Sequence, residues 1–172
     1  VIAQREFPIP DDADVEYVYD GLMQLGAELC TDTVNLVLST DGDVPSQPQQ
    51  ESEAHHAAPK IFKETCAIDF SLSAKRIYDF VRGLSPVPGA WCMLTPRDAN
   101  APAQVLKIYK TAKTGDQPGV EVGTLKAENR RLLVATVDEW LELVELQPAG
   151  KKRMAARDYL NGFKHPEDFL LK

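Results

Sequence analysis

Between Pro45 and Pro59 the chain reads PSQPQQESEAHHAAP, and this stretch fixes how the rest can be organised. Pro, Gln, Ser and Ala without apolar periodicity give a helix or strand no face to bury, so residues 45–59 are expected to form a linker. The 172-residue chain then folds as two pieces, 1–44 and 60–172. Charge changes sign near the same boundary. Residues 1–58 hold one base, Arg5, against twelve acids, while the remainder holds 18 bases against 14 acids, within a net charge of −7. A mildly basic piece in an acidic protein points towards a polyanion partner, although bases on solvated faces give the same count.

In the first piece, Val1 to Ile9 reads as a strand ended by Pro8 and Pro10. Asp11, Asp12 and Asp14 then offer N-caps for a helix on which Val15, Val18, Leu22, Leu25, Leu29 and Leu36 recur at helical spacing. Asp41-Gly42-Asp43 is a turn. One strand and one helix cannot cover each other's apolar faces, because a sheet needs several strands before a helix can pack on it. The piece is therefore expected to be the end of a larger domain, and the start at Val1 in a strand-like run to mark a fragment. Its uncovered stripe is expected to dock elsewhere, self-association of the truncated chain included, or to be loosely ordered.

Beyond the linker, Ile61 to Phe70 is extended. A helix capped by Ser71 or Ser73 follows, with Ala74, Ile77, Tyr78, Val81 and Leu84 on its apolar face, and Gly83 with Pro86 stops it. Five short β-like runs come next: Ala90 to Leu94, Val105 to Ala112, Val120 to Leu125, Leu132 to Val137 and Trp140 to Leu146. Five such strands with one helix suit a small, closed or partly open barrel of the OB type. A last helix is expected from Met154 to Leu160, ended by Gly162.

Catalytic chemistry finds no foothold in these residues. His55-His56 stands in the linker without Cys, Asp or Glu at ligand spacing, so no metal site is expected. Cys66 and Cys92 have no base nearby in sequence and read as core residues. With Cys30 they make three widely spaced thiols, which fits a reducing cytoplasm better than a disulfide framework. No apolar run approaches the ~18 residues of a membrane helix, so no membrane partner is expected. One motif stands out: Ala149-Gly150-Lys151-Lys152-Arg153-Met154 puts three bases at the start of the expected last helix, where they would oppose its dipole. Free backbone N–H groups and three bases together make an anion site suited to phosphate, unless the turn is merely exposed and basic. Lys60 and Lys63 add two bases at the linker's exit.

Four stretches in order, Ala58-Pro59-Lys60-Ile61-Phe62-Lys63-Glu64-Thr65, Ile68-Asp69-Phe70, Val81-Arg82-Gly83-Leu84-Ser85-Pro86-Val87-Pro88-Gly89-Ala90-Trp91 and Leu146-Gln147-Pro148-Ala149-Gly150-Lys151-Lys152-Arg153-Met154, resemble the C-terminal half of methionyl-tRNA formyltransferases. The similarity runs from Val1 to about Phe163, and the tail from Lys164 carries no family motif. The resemblance implies an α+β, mostly β chain: an OB-like small β-barrel with flanking helices at 60–172, preceded at 1–44 by a strand-helix remnant of a Rossmann-like catalytic domain. It implies methionyl initiator tRNA as partner, with Lys60, Lys63, Lys151, Lys152 and Arg153 as the expected contacts. The missing N-terminal catalytic domain is the other expected partner. That domain carries the family's catalytic residues and uses 10-formyltetrahydrofolate as co-substrate. None of those residues maps onto this chain, so it is expected to hold no cofactor and to be inactive alone. Two departures are Val87, where the family has an aromatic between the prolines, and Val137-Asp138-Glu139, which replaces a Gly-containing turn. The rivals are another formyl-folate enzyme, a hydrolase or sugar-nucleotide formyltransferase, for which the Lys151-Lys152-Arg153 cluster has no use, and a freestanding OB-type RNA-binding module.

Overall fold

A computed structural model describes residues 1–49, 57–98 and 101–172. His55-His56 and the middle of the expected linker lie outside the described residues. The chain divides into two compact units, Val1–Lys60 and Ile61–Lys172.

The first unit is built on one helix, α1 (Val15–Ser39), whose N-cap Asp14 accepts a hydrogen bond from the Tyr17 N–H at 3.0 Å. The Asp41-Gly42 turn ends it in the left-handed region, with φ of 53° and 88°. Residues 1–9 do not form the expected strand. They run beside the helix without regular structure, because no strand of this unit stands next to them among the described residues, and a lone segment has no ladder to join. Val1 instead exchanges two backbone hydrogen bonds with Gln47, at 2.6 and 2.9 Å. The tip of the Phe7 ring meets Gly21, where a Cβ would stand 2.0 Å from Cζ. No residue of α1 is buried; Leu22 of the expected stripe is 50% exposed, and Met23 and Leu38 are 60% and 75% exposed. The stripe read from the sequence is covered only in part: Val15, Val18, Leu25 and Leu29 are half-buried, while Leu22 and Leu36 stay exposed.

The second unit carries the core. Helix α2 (Ala74–Leu84) takes Ser73 as its N-cap and buries Ala74, Ile77, Val81 and Leu84. Its amphipathic spacing is the reason it packs on a sheet. That sheet has seven antiparallel strands: β1 (Ala90–Pro96), β2 (Gln104–Lys113), β3 (Leu125–Glu128), β4 (Arg131–Ala135), β5 (Trp140–Pro148), β6 (Met154–Ala155) and β7 (Phe169–Leu171). The order is β3-β4-β5-β2-β1-β7, with β6 paired to β5. The two ends of that order meet through a Thr124–Leu170 bridge and a 2.9 Å bond from the Leu171 N–H to the Gly123 carbonyl. The result is a nearly closed OB-like barrel with flanking helices, filled by Leu106, Ile108, Leu132, Val134, Leu141, Leu143 and Leu146.

Three local expectations need correction. Val120 to Thr124 is not strand, because Gly119 and Gly123 turn the backbone at positive φ, and β3 starts only at Leu125. The expected helix from Met154 is a two-residue strand, then α3 (Ala156–Tyr159) of four residues, because Met154 and Ala155 pair with Leu146 and Glu145. The tail without a motif forms a 3-10 helix, Pro166–Asp168, and then the strand β7, which pairs Leu171, Leu170 and Phe169 with Leu94, Thr95 and Pro96.

The sequence departures sit where they cost little. Val87 is 76% exposed, so the barrel core does not miss an aromatic there. Asp138, in the turn between β4 and β5, accepts from the Ala74 N–H at 2.8 Å, the Thr136 hydroxyl at 2.9 Å and the Glu139 N–H at 3.1 Å. It thus caps α2 from 64 residues away. The Ala74 N–H above all holds its carboxyl below the usual carboxylate range, against a smaller opposing effect of burial. A folded-state pKa below the unfolded value means stability that is present above the unfolded pKa and lost as pH falls through the folded one. Asp138→Ala should therefore cost about 1 kcal/mol at neutral pH. In urea titrations the gap from the unchanged chain should close as pH drops below about 4.

Candidate functional site

The turn that carries the basic motif hangs from the end of β5. The Lys151 N–H bonds to the Pro148 carbonyl at 3.0 Å, and Gly150 occupies φ 73°, which a side chain rarely adopts. A side-chain chain holds the turn from below: the Tyr109 hydroxyl donates to Gln147 Oε1 at 2.8 Å, and Gln147 Nε2 donates to the Lys151 carbonyl at 2.7 Å. Tyr109 reaches that place because a bulge interrupts the β2–β5 register on either side of Lys110.

The five bases named from sequence do not play one role. Lys151 and Lys152 are exposed, with their backbone position fixed and their ammonium groups at the surface. Arg153 is a brace. Its guanidinium makes two hydrogen bonds to Glu145, one from Nε at 3.1 Å and a shorter one from a terminal nitrogen, and it lies 4.5 Å from the centre of the Tyr109 ring. The three bases precede β6, not a helix, and α3 is a single turn that starts at Ala156. The anion site of free N–H groups at a helix start is therefore absent, and only the charge remains of that expectation. Lys63 caps the short 3-10 helix Glu64–Cys66, its carbonyl accepts from the Trp91 indole N–H at 2.8 Å, and its ammonium lies 5.8 Å from the Trp91 ring centre. Lys60 ends the first unit, so the sequence neighbours Lys60 and Lys63 fall in different units.

Sequence reasoning missed a cleft of about 640 Å³ lined by Lys110, Arg130, Arg131, Arg157, Glu142 and Glu145. Arg131 bonds Glu142 at 2.7 Å. Arg130 occupies the second place of the two-residue β3–β4 turn, with Asn129 and Arg130 at φ 52° and 63°. The signal available in sequence was Asn129, a residue that favours such turns, between two β-like runs. Nothing in the sequence joined it to Lys110 or Arg157.

Other groups offer little chemistry. Cys66 and Cys92 are buried, and burial pushes the Cys92 thiol far above its usual range, which keeps it protonated and inert. Among the described residues no group of three or more His, Cys, Asp or Glu could hold a metal ion. No helix among them is long and apolar enough to cross a membrane.

Comparison with known proteins places this barrel. Residues 60–164 match the family described as formyl transferase, C-terminal domain. The chain is 46% identical over 99% of its length to the methionyl-tRNA formyltransferase of Parabacteroides distasonis, and 43% identical over 95% of its length to that of Phocaeicola vulgatus. It spans about half the length of these relatives, 53% and 51%. HypX from Aquifex aeolicus in complex with tetrahydrofolic acid shares the fold, with a TM-score of 0.62 at 17% identity over 95% of this chain and 28% of that one. A HypX variant gives the same TM-score at 18% identity over 94% of this chain and 27% of its own. The barrel with its flanking helices, the ordered motifs from Lys60 to Met154 and these matches together make the chain a member of the formyl transferase C-terminal domain family.

Proposed function

We propose that this chain is the tRNA-binding C-terminal part of a methionyl-tRNA formyltransferase, a cytoplasmic enzyme of translation initiation that moves a formyl group from 10-formyltetrahydrofolate to methionyl initiator tRNA. The observation that carries the reading is identity of 40–46% over nearly the whole chain, both units included, with relatives of that name. The geometry supports a binding role for this part. Lys151 and Lys152 stand at the surface on a turn braced by Gln147, so their charge can meet a phosphate without the turn having to be ordered first. Exposed bases of this kind give affinity and register on a nucleic acid and read no sequence. Catalysis and the folate donor belong to the rest of the enzyme.

The test is binding of an initiator methionine tRNA transcript to the 172-residue chain across a salt series. Binding with a log–log salt slope of more than one phosphate contact, and no formyl transfer when 10-formyltetrahydrofolate and methionyl-tRNA are supplied, is expected. A chain that ignores tRNA at low salt, or that transfers formyl by itself, contradicts the reading.

A further inference from the structure

The cleft between the β3–β4 turn, β5 and α3 is built in a way that packing does not explain. Arg130 holds φ 63°, which the two-residue β3–β4 turn requires of its second place, and its side chain is exposed, so it makes no contact with the core. Glycine or asparagine would fill the second place of this turn more cheaply. The bulge beside Tyr109 sets Lys110 opposite Glu145 on the same cleft, and Arg157 reaches it from α3. Glu142 and Glu145 each already hold an arginine, Arg131 and Arg153. Among the described residues no ion pair engages Lys110 or Arg130, and Arg157 has only a long 3.9 Å contact with its exposed neighbour Asp158. The cleft thus carries surplus positive charge. Arg153, bound to Glu145 on its wall, also begins the exit from the Lys151-Lys152 turn, so cleft and turn share a rim.

From this we infer that Lys110, Arg130 and Arg157 form a second phosphate-backbone contact for RNA, separate from the Lys151-Lys152 turn. The inference rests on the tRNA reading above and adds to it a site that the basic motif does not include. An open cleft with its cations on three separate elements fits one phosphate of a polynucleotide whose neighbours lie over the rim.

The experiment is Arg130→Gly in the full 172-residue chain, assayed against the same tRNA transcript. Glycine relieves the left-handed backbone, so the melting temperature should hold or rise by about 2–4 °C. Affinity should fall about three- to ten-fold, and the salt slope should become shallower by about 0.7–0.9. A residue with only a structural role cannot give greater stability and weaker binding together. Should the variant melt lower, Lys110→Gln carries the same binding test. Unchanged affinity and slope in these variants, while Lys151→Ala/Lys152→Ala still weakens binding, overturns the cleft and leaves the tRNA reading standing. Loss of heat protection by inorganic phosphate in Arg130→Gly with unchanged tRNA affinity makes the cleft a free-anion site and overturns the RNA assignment. No tRNA binding by the unaltered chain overturns both.

Discussion

Deleting residues 165–172 is expected to abolish or severely lower the thermal transition of the barrel. The tail supplies β7, which gives β1 three paired residues, and Met93 and Lys172 exchange two further backbone hydrogen bonds at 2.7 and 3.0 Å. Leu170 and Leu171 are buried, at 9% and 2% exposure, and their burial contributes about 3–6 kcal/mol. A domain stable by only about 5–15 kcal/mol loses much of its margin with them. Without β7 the backbone of β1 becomes an open edge that can pair with another chain. Melting by circular dichroism together with size exclusion checks this; a truncated monomer that melts within a few degrees of the full chain would show that the barrel is complete without its tail.

Gly123→Ala probes the same closure with one methyl group. Gly123 sits at φ 83°, and a Cβ there would come within 2.3 Å of the Leu171 carbonyl oxygen, which is backbone and cannot swing away. The same residue bonds across both ends of the barrel: its N–H donates to Ala135 at 2.8 Å and its carbonyl accepts from Leu171 at 2.9 Å. Moving away from the clash therefore breaks ladder bonds. Strain and lost pairing together should cost about 2–4 kcal/mol. Gly83→Ala in α2 is the control of opposite sign: a Cβ there meets nothing, and the substitution should stabilise by about 0.5–1 kcal/mol. Urea midpoints of the three chains give both numbers. Equal stability of Gly123→Ala and the unchanged chain would mean that the Gly123–Leu171 contact does not hold the barrel shut.

Parts of this fold were legible because a local rule and the tertiary structure agree. Ser73 followed by Ala74, Ile77, Val81 and Leu84 is a capped amphipathic helix at any level of description. The long strands β2 and β5 carry enough β-branched and apolar residues to be read directly. What was misread depends on partners far away in sequence. Met154-Ala155 is strand only because Leu146 and Glu145 offer a ladder, and two residues have no period to detect. Phe169–Leu171 is too short to announce itself and is fixed by β1, more than 70 residues upstream. The same holds for the site. A run of adjacent bases such as Lys151-Lys152-Arg153 is visible in any sequence, yet the structure ties Arg153 along the surface to Glu145 and the Tyr109 ring, so the three exposed bases do not play one role. Lys110, Arg130 and Arg157 lie far apart in sequence, and only the barrel brings them to one cleft.

The most direct test of a tRNA-binding role is the salt dependence of tRNA affinity for the unaltered chain and for Lys151→Ala/Lys152→Ala. If both lysines meet phosphates, the double substitution should flatten the slope of log affinity against log salt by about 1.4–1.8, at ~0.7 to 0.9 for each contact. It should weaken binding to initiator and elongator tRNAs alike, because phosphate contacts position without specifying. Both side chains are exposed, so stability should move by less than about 1 kcal/mol. A double variant that unfolds, or one that stays folded and keeps the salt slope of the unaltered chain, contradicts the assignment of this turn to tRNA.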